Sequence, residues 1–377
     1  MDLTTLALAL VVAFGLLATD TVLHSGSVTV EVAGPVVVFR DIVDPNILES
    51  AFTEQLDRIA STQSVVNPPQ IRSSHDDGIG MTLAEAAGVK PLAFSLQHVM
   101  GYASSKLRFV MFMERGKLSG VVSGDSAASG SFSQEFRSAP DEPLVNFVQR
   151  AANWGAAQLA PYNTALYLLQ RHANDGDFRD VVALCNNAIA RQSPAPVNPT
   201  RGQYENILGL VELFRSDPKA ARGHFEAALA SWPGAPVPEM NIAFTELVAD
   251  QYEPAVRRMR AVLAEAPPRH KAVLATAYVT LATALMGLHQ YDEADQQLAL
   301  AMQASPDSST APDLRADLKE VRGDRAEADR LHRLAQQNSA AFENFGEVAA
   351  LYFAMSWRDN EKVSRSKFTN PDMLEFH

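Results

Sequence analysis

YENILGLVELFRSDPKAARGHFEAALASWP, residues 204–233, is the stretch that decides the fold. Its apolar residues recur at helical spacing, and PEMNIAFTELVADQYEPAVRRMRAVLAEAP at residues 238–267 repeats the pattern. Ala255 in the second stretch follows Ala221 in the first by 34 residues. A period of this length is typical of a helix–turn–helix repeat. The sequence therefore predicts consecutive pairs of α-helices.

Three further copies flank these two. AYVTLATALMGLHQYDEADQQLALAMQASP, residues 277–306, follows after a short insertion, and GDRAEADRLHRLAQ, residues 323–336, comes next. TALYLLQRHANDGDFRDVVALCNNAIARQSP, residues 164–194, precedes them and fits more loosely. Together the copies resemble the tetratricopeptide repeat (TPR) family over residues 160–337, about half of the chain. The resemblance implies an all-α helical solenoid.

Small and bulky residues take fixed places in this pattern. Ala221, Ala255 and Ala294 are expected to let the second helix of each repeat approach the first closely. Phe225 is expected to fill the space between neighbouring repeats. Cys185 stands at the position equivalent to Phe225, so we expect a buried structural thiol and not a nucleophile.

The TPR family binds peptides or helices in a concave groove that is lined mainly by the first helix of each repeat. Mapped onto this chain, the resemblance implies a partner-binding groove made of Asn163, Leu166, Gln170, Asn206, Leu210, Leu213, Met240, Phe244, Leu247, Val279 and Thr283. This lining is apolar with scattered amides, and no matching Lys or Arg is present to grip a terminal carboxylate. It predicts a protein partner that offers a hydrophobic helix or an extended segment. The alternative is that some of these residues pack only against neighbouring repeats.

The N-terminal residues 1–26 form an apolar segment, uninterrupted from Leu6 to Ala18. It predicts a single transmembrane helix near residues 3–22, in contact with the lipid bilayer. The alternatives are a cleaved signal segment and a soluble buried helix. Because no Lys or Arg precedes Arg40, charge gives almost no orientation. An anchor this close to the N-terminus most easily exports the rest of the chain, so we expect a single-pass protein of the inner (cytoplasmic) membrane with its soluble part periplasmic or otherwise extracytoplasmic.

Residues 27–140 are predicted to form a small α+β domain with the element order β-α-α-β-β. SVTVEVA at residues 27–33 alternates as a strand does, and Asp44-Pro45 is a typical helix start. KLRFVMFM and KLSGVVS, on either side of Arg115-Gly116, indicate a β-hairpin. Beyond this domain we expect a connecting helix, the repeats, a capping helix and a polar tail at residues 141–159, 160–337, 338–358 and 359–377.

Three motifs carry residues that are used in catalysis or metal binding, and each has a simpler interpretation. The triplet GDS at residues 124–126 is similar to the nucleophile loop of a chymotrypsin-like serine protease. The base, the orienting carboxylate and the oxyanion donors that such a protease needs are not found in their usual sequence context around Ser126. We interpret it as a turn after a strand. HDD at residues 75–77 lacks the spacing of metal ligands, and His98 has no acid or nucleophile partner in sight. We therefore expect no catalytic residue, no metal site and no cofactor.

Composition narrows the function further. The chain carries 32 basic and 44 acidic residues, a formal charge of −12, which argues against nucleic acid as a partner. We expect a membrane-anchored TPR interaction scaffold, or an accessory subunit of a bacterial envelope complex, and not an enzyme. The alternative is an enzyme or sensor whose activity lies in residues 27–140, with the TPR half as its docking arm.

Overall fold

The structure, a computed structural model, describes residues 27–33, 45–62, 72–73, 105–114, 117–126, 130–173, 175–192, 195–266 and 271–339. The chain divides into two compact units, and the border falls between Tyr167 and Leu168. Each unit is described by itself.

The first unit combines a mixed β-sheet with α-helices. Its sheet has the strand order β2-β1-β3-β4-β5, in which β1 pairs in parallel with β2 and β3, while β3, β4 and β5 are antiparallel. In chain order the elements are β1 (Ser27–Ala33), α1 (Pro45–Ala60), β2 (Arg72–Ser73), β3 (Ser105–Glu114), β4 (Lys117–Ser126), β5 (Gly130–Arg137) and α2 (Leu144–Leu159). The α+β class and the β3–β4 hairpin agree with the sequence prediction.

Aromatic rings brought together from distant parts of the chain fill the core of this unit. Phe109 on β3 stacks on Phe52 of α1, with ring centroids 5.1 Å apart, and lies 6.2 Å from Phe147 of α2. All three are fully buried. Gly155 on α2 permits a close approach to the sheet, because a Cβ there would stand 3.0 Å from the Leu107 side chain. The two helices therefore pack directly on the face of the sheet that carries Phe109.

Strand β5 was not predicted from the sequence. It pairs with β4 along its whole length, so that Gly124, Asp125 and Ser126 are strand residues opposite Phe132, Ser131 and Gly130. The prediction that the GDS triplet is a turn was therefore wrong. Hydrogen bonding to β5 extends β4 through Ser126, and any turn lies beyond it.

Helix α3 (Pro161–Arg171) spans the border between the units, and the part of the second unit that the structure describes continues with helices only. They are α4 (Arg179–Ala190), α5 (Pro199–Phe214), α6 (Pro218–Ser231), α7 (Pro236–Val248), α8 (Tyr252–Glu265), α9 (Lys271–Gly287), α10 (Tyr291–Ala304), α11 (Thr310–Val321) and α12 (Arg325–Ser339). Helices α5 to α12 pack pairwise as four successive hairpins, and α4 packs on α5. This TPR-like stack of helix pairs is the architecture that the repeats predict.

The four hairpins share one turn. Ser216, Asp250, His289 and Gly323 each adopt a positive φ, between 55° and 80°, directly after the first helix. In each turn the next amide donates to the carbonyl five residues earlier, as in Asp217 N to Glu212 O at 2.9 Å and Gln251 N to Glu246 O at 2.8 Å. This is the Schellman motif, in which a left-handed residue ends a helix. Because the same turn recurs in all four hairpins, the repeat in the sequence corresponds to a repeat in backbone conformation.

Small residues permit close helix contacts inside the hairpins. Ala221, Ala255 and Ala294 are fully buried, as the packing argument predicts. Gly209 on α5 faces Phe225 on α6 so closely that a Cβ would lie 2.4 Å from the ring. Cys185 is buried too, and its burial raises the pKa of the thiol, which disfavours the reactive thiolate.

Four predicted segments fall partly or wholly outside the described residues, one of them the second helix of the β-α-α-β-β domain. The anchor at residues 1–26 and the tail at 359–377 do so entirely. Of the capping helix predicted at 338–358, only Asn338 and Ser339 are described, and both belong to α12. Among the residues that are described, no helix combines the length and the apolar character that a membrane crossing requires.

Candidate functional site

The predicted groove residues lie on the first helices, α3, α5, α7 and α9, and most of their side chains are buried. Seven of the eleven are almost inaccessible, namely Asn163, Leu166, Asn206, Leu210, Leu213, Met240 and Leu247. Four are partly exposed, namely Gln170, Phe244, Val279 and Thr283. Asn163 and Leu166 belong to the first unit and the others to the second. The partly exposed four are the members that a partner could contact without rearrangement.

Buried amides connect the first helices of neighbouring hairpins. The Asn241 side-chain amide on α7 donates to Asn206 Oδ1 on α5 over 2.7 Å. The hydrophobic cluster then continues from α7 to α9, through Met240 and Leu247 to Val273 and others. The first helices α5, α7 and α9 therefore form one continuous layer.

Asn163 on α3 is unusual among these amides. Its side chain is fully buried, yet neither its nitrogen nor its oxygen has a hydrogen-bond partner within the described part of the chain. Leaving a buried polar group unpaired costs about 1–3 kcal/mol. This position therefore gains no stability from polar contacts that the structure shows.

A charged network lies between the second hairpin and its neighbour. Glu246 on α7 is buried and accepts hydrogen bonds from Arg258 of α8 at 3.0 and 3.2 Å, and Arg222 of α6 lies 3.5 Å away. Arg258 also pairs with Glu239. Burial lowers the pKa of Arg258, but the hydrogen bonds to Glu246 and Glu239 outweigh it and the pKa is raised. Glu239, Glu246 and Arg258 line a cleft of about 710 Å³. The ion pairs of the network join α6, α7 and α8.

The last hairpin carries a cluster of possible metal ligands. Asp317 and Glu320 of α11 converge with His332 of α12, and one ligand atom from each lies within 4.8 Å of the others. No metal site was predicted from the sequence, so this cluster was missed. The spacing of Asp313, Asp317 and Glu320, which places three carboxylates on one face of a helix, was the available signal.

The other motifs singled out in the sequence are only partly visible. The structure describes the backbone of Ser126 as the last residue of β4. HDD at residues 75–77 and His98 lie outside the described residues. The interpretation of these two motifs as structural stays a prediction.

The fold of the second unit defines a helical-hairpin repeat protein. No protein-family model and no curated protein matches the chain. Among solved structures, the chain is similar to "Crystal structure of MamA", at 15% identity over 45% of this chain and 94% of that one, with a TM-score of 0.35. It is also similar to MamA residues 41 to the end from Desulfovibrio magneticus RS-1, at 16% identity over 49% and 98%, with a TM-score of 0.36. Similarity at this level assigns no function.

Proposed function

We propose that the protein is a membrane-anchored scaffold that docks a partner protein on its helical repeats, with its soluble part on the extracytoplasmic side. The observation that carries the docking role is the continuous layer of first helices α5, α7 and α9. Repeats stacked in this way offer a surface longer than any single helix could, which suits an elongated partner. The occupant we propose is a hydrophobic helix or extended segment, because Phe244 and Val279 are apolar and partly exposed.

The docking surface is tested by charge substitution at Phe244. Phe244→Glu places a carboxylate on the layer of first helices, where an apolar partner would have to desolvate it. Recovery of the wild-type chain from detergent-solubilised membranes should bring down a stoichiometric partner, and the variant should lose it. Leu210 is unsuitable for this purpose because it is only 1% exposed, so a charge there would unfold the hairpin.

Leu300→Glu is the matched control. Leu300 is an apolar residue that is 37% exposed, but it lies on α10, a second helix. Retention of the partner in this variant, together with its loss in Phe244→Glu, supports the proposed surface. Equal loss in both variants would contradict it. Substrate turnover by the intact chain that Ser126→Ala abolishes would instead support the enzyme alternative.

The proposed membrane side is tested with a membrane-impermeant maleimide. Cys185 is the single cysteine and is fully buried, so the wild-type chain should give no signal. Val197→Cys places a thiol at a position that is 58% exposed. Labelling of this variant in intact spheroplasts supports an extracytoplasmic repeat region. Labelling only after lysis would place that region on the other side.

A further inference from the structure

We propose that the last hairpin, α11–α12, binds a divalent transition-metal ion of the Zn²⁺ type through His332, Asp317 and Glu320. The inference does not depend on the proposed docking function. It rests on the positions of these three side chains and on a hydrogen bond from His332 to a fourth residue, Asp313.

The ligand atoms already stand at metal-site separations. Nε2 of His332 lies 3.3 Å from Oε1 of Glu320 and 3.8 Å from Oδ1 of Asp317. Tetrahedral Zn²⁺ holds nitrogen and oxygen ligands at about 2.0–2.2 Å, which places neighbouring ligand atoms about 3.3 Å apart. Small side-chain shifts would therefore be enough to admit the ion.

The burial of His332 supports the metal site independently of these distances. Its side chain is buried, at 9% exposure, and Nε2 has no hydrogen-bond partner among the described residues. Glu320 is 3.3 Å away without forming a hydrogen bond, so its oxygen stands beside the lone-pair axis of Nε2 and not on it. A carboxylate oxygen takes this position when it shares a metal ion with an imidazole.

The opposite ring nitrogen is held as metal-binding histidines usually are. Nδ1 of His332 lies 3.0 Å from Oδ1 of Asp313 and donates its proton to that carboxylate. With Nδ1 as the donor, the neutral imidazole carries its lone pair on Nε2, the nitrogen that lies near Asp317 and Glu320. A carboxylate–histidine–metal arrangement both orients the ring and makes it a better ligand.

The helices place these groups together for simple reasons. Asp313, Asp317 and Glu320 follow one another at intervals of four and three residues, so they share one face of α11. The turn at Gly323 then brings α12 back along that face with His332. The basic side chains of α11 are directed elsewhere, since Arg315 and Lys319 both pair with Asp295 of α10.

The α5–α6 hairpin provides an internal contrast. His224 Nδ1 lies 3.0 Å from Glu205 Oε2, and this pair is 19 residues apart in sequence, as are Asp313 and His332. Four residues after Glu205, however, comes Gly209, where Asp317 stands in the last hairpin. Gly209 is packed against Phe225 and offers no ligand. The same hydrogen bond therefore occurs there without a counterpart of Asp317, although Glu212 stands at the position equivalent to Glu320.

The donor set selects the class of ion. One imidazole nitrogen with two carboxylates suits Zn²⁺ and neighbouring first-row metals, whereas Ca²⁺ and Mg²⁺ prefer oxygen ligands alone. The Glu320 side chain is 40% exposed and gives the ion a path from solvent. Three protein ligands leave a fourth tetrahedral position for water or for a side chain of another protein.

Calorimetric titration of the untagged, EDTA-treated full chain with ZnCl₂ tests the proposal. We expect one Zn²⁺ per chain in the wild type. Glu320→Gln and Asp317→Asn should weaken binding at least about 10-fold, and Asp313→Asn should weaken it about 10- to 100-fold through the imidazole. His224→Gln should leave the affinity unchanged. Glu320 is partly exposed, so its variant is expected to fold, which circular dichroism in EDTA can verify.

Co²⁺ absorption on the wild-type chain tests the same site without any substitution. One equivalent of Co²⁺ should give visible bands of a low-symmetry nitrogen–oxygen site, and Zn²⁺ should displace them. Absence of Zn²⁺ binding and of these bands would overturn the proposal. So would binding that survives unchanged in Glu320→Gln and Asp317→Asn.

Discussion

The two units build their cores in different ways. In the sheet unit, Phe52, Phe109 and Phe147 meet although about forty to sixty residues separate each from the next. In the repeat unit, contacts such as that between Gly209 and Phe225 join residues of one hairpin. Local contacts leave a periodic trace in the sequence, whereas distant contacts do not. This difference explains why the repeats were recognisable and the sheet topology was not, and it predicts how each unit responds to substitution.

The largest effect is expected in the sheet core, at Phe109. Phe109→Ala removes a fully buried ring that stacks on Phe52 and should lower the free energy of unfolding by about 3–5 kcal/mol. Met113→Ala on the same strand is the control, because Met113 is exposed and its loss should change stability by less than about 0.5 kcal/mol. Urea denaturation followed by circular dichroism measures both. Equal changes in the free energy of unfolding would show that the Phe109 ring does not stabilise the core.

A local contact in the repeats should give a smaller loss. Gly209→Ala forces a methyl group to within 2.4 Å of the Phe225 ring and should destabilise by about 1–3 kcal/mol through overpacking. Gly223→Ala on α6 is the matched control. No described atom lies within 4 Å of the Cβ that it adds, so helix propensity should make this variant about 0.5–1 kcal/mol more stable. Opposite shifts of the unfolding midpoints are the expected result.

The shared turn predicts a pair of effects of opposite sign. Ser216 adopts a φ of 60°, which costs a non-glycine residue about 1 kcal/mol, so Ser216→Gly should stabilise by up to that amount. Gly323→Ala at the equivalent turn should destabilise by a similar amount, since its φ is 80°. Thermal melting of the two variants tests whether the turns are equivalent. Shifts of the same sign would argue against that.

The smallest effect is a pH dependence at His224. The hydrogen bond to Glu205 raises the pKa of His224 above its ordinary value, although burial opposes this. The stabilisation is therefore complete below the unfolded pKa, about 6.5, and is lost as the pH rises through the folded pKa. The stability difference between wild type and His224→Gln should be larger at pH 5.5 than at pH 8.5. A stability difference that does not vary with pH would show that the contact between His224 and Glu205 does not stabilise the fold.

Much of the repeat unit could be predicted from sequence because period and packing coincide. Strand β5 was missed for the opposite reason. Phe136 is its one buried residue, so GSFSQEFR lacks the apolar alternation by which a strand is usually found. It is held instead by pairing with β4 and by Arg150 of α2, which donates to the Arg137 carbonyl over 3.0 Å.

The predicted groove shows a second limit of sequence reasoning. Leu210 and Met240 match the family's groove positions, yet both are buried in the structure. An apolar residue on a first helix satisfies the pattern whether it faces a partner or a neighbouring repeat. The cluster of possible metal ligands shows the converse case, because His332 comes near Asp317 only once the α11–α12 hairpin has formed.

The left-handed turns also bear on how the length of such a chain can change. Ser216 and Asp250 occupy the same place in successive hairpins and are 34 residues apart. Deletion of residues 217–250 would join Ser216 directly to Gln251. Helix α5 would then be connected to α8 by a single intact turn. The joined helices would bring Gly209 opposite Met259, the counterpart of Phe225. Each 34-residue segment between equivalent turns could thus be duplicated or deleted in the gene, because the existing turn would still end the preceding helix.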